Sequence, residues 1–343
     1  MSFEDFLSKL DPKDARSIQT AATRKVERLP LASRTLTDAL NGGIGRGRIT
    51  TIHGNYSAGK TLLTLQSIAM WQEMGLSVGF IDCEGTLDGD WASRLGVDID
   101  RLVVDGSKSS QRVEQMAVKW INAGLDALVI DSISDILPET FVDEKTRQLD
   151  SRRVQIGAHA KAIGSLVNGI HYANDNTAVI LLSQQTTQMA QTYVKQVPHG
   201  GNKILFGSST IIKLTSSGTD AKQIKGLIRV GSVKEEKPIG RHVDALIEKN
   251  KAGGAQNRTA SYDIYYDGDF VGIDAAGELV ELIIDRGVIN KAGAWLKMDD
   301  GRSWQGKQNL IEAIRNDKDL EREFENLLVS VNSEVEDDGG PEV

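Results

Sequence analysis

Cysteine is almost missing from this chain: its 343 residues hold one, Cys83, so no internal disulfide can form and a reducing compartment is expected. No run of 18 apolar residues occurs, so no membrane span is expected. The opening Met-Ser-Phe-Glu-Asp-Phe has neither a basic stretch nor an apolar one, so no export signal is read there. Together these absences point to the cytoplasm. Internal repeats are absent too. The last thirteen residues carry five acids and no base. Without them the net charge of −8 becomes −3, and residues 185–251 hold eleven Lys or Arg against five acids. An acidic whole with a basic middle leaves polyanion binding open, although charge alone fits an ordinary solvated face equally well.

What is present reads as α/β. Apolar runs at 49–53, 78–82, 127–131, 178–182, 209–214, 227–233 and 244–249 alternate with helical periodicities, which predicts βαβ units and a mainly parallel sheet flanked by helices. Residues 1–30 are expected to form a short helix (Phe3, Phe6, Leu7, Leu10) and strand for oligomerisation. Residues 31–270 form the core, 271–330 a small α-rich C-terminal domain, and 331–343 a disordered acidic tail.

The stretch Gly54-Asn55-Tyr56-Ser57-Ala58-Gly59-Lys60-Thr61 fills every position of the pattern G-x-x-x-x-G-K-[ST]. Its glycines let backbone N–H groups turn inward around a β-phosphate. Lys60 reaches the β/γ oxygens and Thr61 offers its hydroxyl to Mg²⁺. A strand precedes the loop, and a helix with Leu62, Leu65 and Ile68 on one face follows it. A nucleoside triphosphate is therefore expected. The cluster Gly42, Gly43, Gly45, Gly47 has no helix behind it and reads as a tight turn.

Three further strand ends carry chemistry. Asp131 ends the run Ala127–Asp131 on the metal side of such a site; its alternative is a helix N-cap. Glu84 lies just past a strand, where a carboxylate can orient and deprotonate an attacking water, whereas Asp82 suits holding the loop. Gln184 ends a third strand in an amide able to report on a γ-phosphate, or is simply a polar strand end.

Taken with Gly85-Thr86-Leu87-Asp88 and Trp91-Ala92-Ser93-Arg94-Leu95-Gly96-Val97-Asp98, these residues resemble the RecA family of homologous-recombination ATPases. The likeness covers nearly the whole chain, including the span from Gly277 through Lys291-Ala292-Gly293-Ala294-Trp295 to Gln305-Gly306-Lys307. It implies Glu84 as general base, Asp88, Trp91 and Tyr266 beside adenine, and Lys249 and Lys251 reaching the neighbouring subunit's ATP. It also implies two DNA-binding connections. The first, about 139–153, would use Arg147, Arg152 and Arg153. The second, about 185–206, would use Met189, Tyr193, Lys195, Gly200, Gly201, Asn202 and Lys203, with Phe206 at the subunit contact.

The resemblance implies an ATP- and Mg²⁺-dependent recombinase that forms helical filaments on single-stranded DNA and exchanges strands with a homologous duplex. The competing reading is a ring helicase or motor with the same phosphate loop and no pairing activity.

Overall fold

The computed structural model describes residues 5–6, 26–141, 157–189, 194–216, 223–230, 233–254, 256–268 and 270–337. Strand β1 (Arg28–Leu29) pairs with β2 (Ile44–Gly45), with helix α1 (Arg34–Ala39) between them in sequence. Then follow β3 (Arg48–Gly54), α2 (Lys60–Glu73), β4 (Val78–Asp82), α3 (Gly89–Arg94), β5 (Leu102–Asp105), α4 (Ser110–Asn122) and β6 (Ala127–Asp131). Next come α5 (Ala158–Ala173), the hairpin of β7 (Ala178–Met189) and β8 (Val194–Pro198), α6 (Asn202–Gly207) and β9 (Thr210–Thr215). A second hairpin, β10 (Gln223–Val230) and β11 (Val233–Asn250), leads to β12 (Thr259–Tyr265) and β13 (Gly272–Ile273). The C-terminal part comprises α7 (Ala275–Asp285), β14 (Asn290–Ala292), β15 (Trp295–Lys297), β16 (Ser303–Gln305), α8 (Gly306–Asn316) and α9 (Lys318–Asp337).

The main sheet runs β13-β12-β11-β9-β3-β7-β6-β4-β5, with β10 on β11 and β8 on β7. From β9 to β5 every pair is parallel, and from β9 outward to β13 every pair is antiparallel. A parallel ladder needs cover on both faces, and side-chain alternation provides it. Ile52, Phe80, Val129, Ile180 and Ile212 join Leu63, Leu65 and Ile68 of α2 in one core. Ile49, Ile81, Leu128, Ile130, Val179 and Leu181 join Val113 of α4 and Ile163 and Val167 of α5 in the other. Burying each such side chain contributes roughly 1.5–3 kcal/mol before chain entropy is set against it. The carboxyl ends of β3, β4, β6 and β7 thereby meet at one edge, where open α/β sheets bind ligands.

The expected α/β architecture is present, and its details differ in places. The run predicted as one strand at 227–233 ends β10 and begins β11 instead. The stretch predicted at 244–249 is the end of the eighteen-residue β11. Strands β5, β12 and β13 were not predicted. The C-terminal domain adds a three-stranded antiparallel sheet, β14-β15-β16, to its helices. Helix α9 runs to Asp337, so the tail expected to lack structure from residue 331 is helical for its first seven residues. Of the expected N-terminal helix only Asp5 and Phe6 are described. Among the described residues no helix is long and apolar enough to cross a membrane.

The C-terminal domain is clasped to the core by a buried carboxylate. Glu278 of α7 accepts hydrogen bonds from Ser33 Oγ at 2.7 Å, Thr35 Oγ1 at 2.5 Å, and the backbone N–H groups of Arg34 and Thr35 at 3.0 and 3.2 Å. These donors stand at the start of α1, whose first N–H groups have no partner within the helix. Burial pushes the Glu278 carboxyl up, against the pull of those bonds. Arg34 also pairs with Glu321 at 2.6 Å and with Glu325.

Candidate functional site

The phosphate loop is built where β3 stops and α2 starts. Gly59 adopts φ 84° as the N-cap of α2, and a Cβ there would stand 2.9 Å from Ile264 Cδ1. At Gly54 a Cβ would lie 2.5 Å from the Leu214 carbonyl oxygen. Only glycine meets both demands, which explains the motif's two glycines physically. Lys60 Nζ donates to the carbonyls of Gly54 and Asn55, each at 3.2 Å. Burial lowers the Lys60 ammonium from its usual range, while Asp131 and Glu84 pull it back up.

Thr61 Oγ1 donates to Asp131 Oδ2 at 2.8 Å, so the two residues expected on the metal side meet directly. Burial raises the Asp131 carboxyl to about 6, against the Thr61 hydrogen bond and with help from nearby Glu84. Glu84 is exposed at the cavity wall, and its backbone N–H donates to the Asp131 carbonyl at 3.0 Å. Asp82 holds the loop that follows, accepting from the N–H groups of Gly85, Thr86 and Leu87 at 2.7, 3.2 and 3.0 Å.

A cavity of about 640 Å³ collects these groups. It is lined by Gly54, Asn55, Tyr56, Ser57, Ala58, Gly59, Lys60, Thr61 and Leu62, with Glu84, Asp131, Gln184 and Tyr266. All of these were predicted from the sequence. Asp88 and Trp91 were predicted beside them and do not line it. Asp88 caps α3, accepting from the Trp91 N–H at 2.7 Å, and Trp91 packs on the core with Arg94 over its ring. The lining also includes Ser132, Gln185, Thr186, Thr187, Gln196, Arg241 and Ile264, which the sequence reading missed. For Arg241 the sequence offers no signal, because β11 and the phosphate loop meet only through tertiary pairing.

The second connection is more regular than a loop. Strand β7 continues past Gln184 to Met189, and β8 returns from Val194, pairing Gln188 with Lys195 and Met189 with Val194. The β-branched Thr186, Thr187 and Val197 favour this extended form. Four cavity residues, Gln185, Thr186, Thr187 and Gln196, belong to this hairpin. Gly200 and Gly201 lead into α6, which begins at Asn202 and Lys203, and Phe206 is 75 % exposed. Tyr193 lies outside the described residues, as do Arg147, Arg152 and Arg153 of the first connection. The bases of the two connections touch through His159 and His199, whose rings lie 4.5 Å apart.

Lys249 and Lys251 stand two apart on the end of β11 and its exit, so an extended backbone turns them to one side. Neither lines the cavity. Lys249 Nζ donates to the carbonyls of Leu205 at 2.5 Å and Ser208 at 2.6 Å, and burial and Lys251 lower its ammonium. The residue before it, Glu248, reaches 2.9 Å to Nε2 of His53, the fully buried last side chain before Gly54.

Comparison with known proteins gives the same picture. The RecA N-terminal domain family matches residues 14–271 and the RecA C-terminal domain family matches 277–331. Protein RecA of Acinetobacter baylyi is 30 % identical over 315 residues, covering 88 % of this chain and 82 % of that protein. Protein RecA of Brucella anthropi is 28 % identical over 333 residues, covering 94 % and 86 %. Protein RecA of Frankia alni is 30 % identical over 307 residues, covering 88 % and 83 %. Matched in both its larger and its smaller part, the chain belongs to the RecA family.

Proposed function

We propose that this protein polymerises as a helical filament on single-stranded DNA in the cytoplasm and exchanges strands with a homologous duplex, driven by ATP with Mg²⁺. It is a DNA-dependent ATPase of the phosphate-loop type that serves homologous recombination and DNA repair. The observation that carries the coupling of ATP to DNA is the shared wall: one cavity is bounded by the phosphate loop and by the base of the β7–β8 hairpin. A change at the γ-phosphate therefore reaches the second DNA connection through Gln184 to Thr187 without an intermediary.

The oxygen donors suit a hard cation. Thr61 Oγ1 and the Asp131 carboxylate stand 2.8 Å apart, and Asp131 is held near other negative groups that a cation would relieve. Among the described residues no cluster of three or more His, Cys, Asp or Glu could hold a metal ion alone, so phosphate oxygens and water would complete the shell. When bound, Mg²⁺ neutralises charge on the β- and γ-phosphates.

The chain's own groups divide the remaining work. Lys60 and the loop N–H groups hold the β- and γ-phosphates. Glu84 takes the proton from the water that attacks the γ-phosphorus, and Gln184 donates to a γ-oxygen. Lys249 and Lys251 act on the neighbouring subunit's ATP, which makes turnover depend on assembly. Gly200, Gly201, Asn202 and Lys203 contact DNA, as do Met189 and Lys195 of the hairpin, with Tyr193 and with Arg147, Arg152 and Arg153 of the first connection; the cations and N–H groups among them meet its phosphates. Such contacts read the backbone and not the base sequence.

Electron microscopy with single-stranded DNA and a slowly hydrolysed ATP analogue tests this. Helical filaments and an ATPase rate that rises with single-stranded DNA are expected. Closed rings, or a rate indifferent to DNA, would overturn it. Nothing among the relatives supports the ring-motor alternative.

A further inference from the structure

Arg241 stands inside the nucleotide cavity, apart from the groups that hold the β- and γ-phosphates. It lies on β11 opposite Ile264 of β12, and both line the cavity wall. Its Nη1 donates to the carbonyl of Ser57 in the phosphate loop at 3.0 Å. Its guanidinium carbon stands 5.2 Å from the centre of the Tyr266 ring, within reach of a cation–π contact. One side chain thus ties the phosphate loop to the aromatic on the cavity's base side.

The charge balance gives this placement a purpose. The cavity's acids are Glu84 and Asp131 and its cations are Lys60 and Arg241, so the lining is neutral among the described residues. A nucleoside triphosphate brings several negative charges. Lys60 is committed to the end of the cavity shared with Thr61 and Asp131, where the β- and γ-phosphates belong. Arg241 is the remaining cation, and it sits between that end and Tyr266. A planar guanidinium held by a carbonyl on one edge and a ring on one face keeps free N–H donors in a fixed fork, which suits a phosphate oxygen.

Given that the cavity takes ATP, we propose that Arg241 is a second cationic nucleotide contact of the same protomer and grips the α-phosphate between base and phosphate loop. The α-phosphate is common to ATP and ADP, so the contact serves both nucleotides equally. That distinguishes it from any group directed at the γ-phosphate.

The test is equilibrium binding of ATP and ADP to the full-length protein without DNA, read by displacement of a fluorescent ADP. Arg241→Ala is expected to weaken both nucleotides by about tenfold, and Arg241→Lys by less, since it keeps the charge and loses the fork. Arg241→Met, which keeps the aliphatic stem, should match the Ala variant; it replaces that variant if urea unfolding shows the Ala protein to be damaged. Binding of both nucleotides at parental strength, or a loss confined to ATP, overturns the proposal. Lys60→Ala serves as the separate control. If it binds nucleotide like the parent, the cavity's assignment to ATP fails as well.

Discussion

Lys249 donates to the carbonyl of Ser208 at 2.6 Å and so closes the C-terminal end of α6, the helix that begins at Asn202 in the second connection. A cation is favoured there by the carbonyls a helix end leaves without partners. The same ammonium is the group proposed to reach the next subunit's ATP. It cannot do both fully, so engagement across the interface would loosen α6 as it tightens the nucleotide.

Action across the interface is open to a mixing experiment. Lys249→Ala and Glu84→Gln subunits are each expected to be inactive alone with single-stranded DNA. In an equimolar random mixture about a quarter of junctions pair an intact Glu84 with an intact Lys249 from the neighbour, and turnover should return in proportion. A mixture no more active than its components would show that both residues serve one protomer's site.

Glu84→Gln alone should lower ATP turnover by roughly 10²–10⁴-fold, the span of general-base catalysis. ATP-dependent binding of fluorescent single-stranded DNA should persist, because the amide keeps the shape of the carboxylate. Loss of DNA binding along with turnover would remove Glu84 from the role of base.

Asp131 makes a prediction about pH. Burial raises its carboxyl to about 6 from 3.8, so the protonated form is favoured in the folded state. Stability from this group is therefore full in acid and declines as pH rises through 6. Asp131→Asn should raise the apo protein's melting temperature above pH 7, by roughly 2–5 °C, with the gain vanishing near pH 4. The same variant should lose Mg²⁺-dependent ATP turnover by at least about a hundredfold. A stability gain independent of pH would contradict the burial argument.

His159 titrates in the opposite sense. Burial and His199 lower its imidazole from 6.5, while the Ile133 carbonyl and Asp135 oppose the shift. The neutral His159 imidazole contributes stability above pH 6.5, and that contribution is lost on acidification. The stability difference between parent and His159→Gln should thus shrink as pH falls from 7 to 5.5, as measured by urea unfolding. A difference that stays constant over that range would rule out a lowered His159.

How much of this was legible depended on sequence separation. The phosphate loop, Thr61–Asp131 and the loop-holding Asp82 could be read because motif and strand end lie in contiguous apolar runs. Strand β5 escaped because Val103 and Val104 are half exposed at the sheet edge, and a four-residue strand leaves no periodicity to detect. The first part of β11 escaped because Lys234, Glu235, Glu236 and Lys237 are consecutive charges that break the apolar run. Arg241 is 184 residues from its partner Ser57, a distance no local pattern spans. Asp88 was read as a base contact, whereas its local hydrogen bond to the Trp91 N–H makes it a helix cap first.

The clasp at Glu278 has a bearing on how the small domain can be studied. Cutting the chain near residue 271 would take from four donors at the start of α1 their shared acceptor and leave them to water, together with the surface that α7 covers there. A shortened ATPase would then unfold more readily, whatever the domain itself does. Surface changes at Lys291 or Lys297 that leave this carboxylate in place are the cleaner way to ask what the domain does.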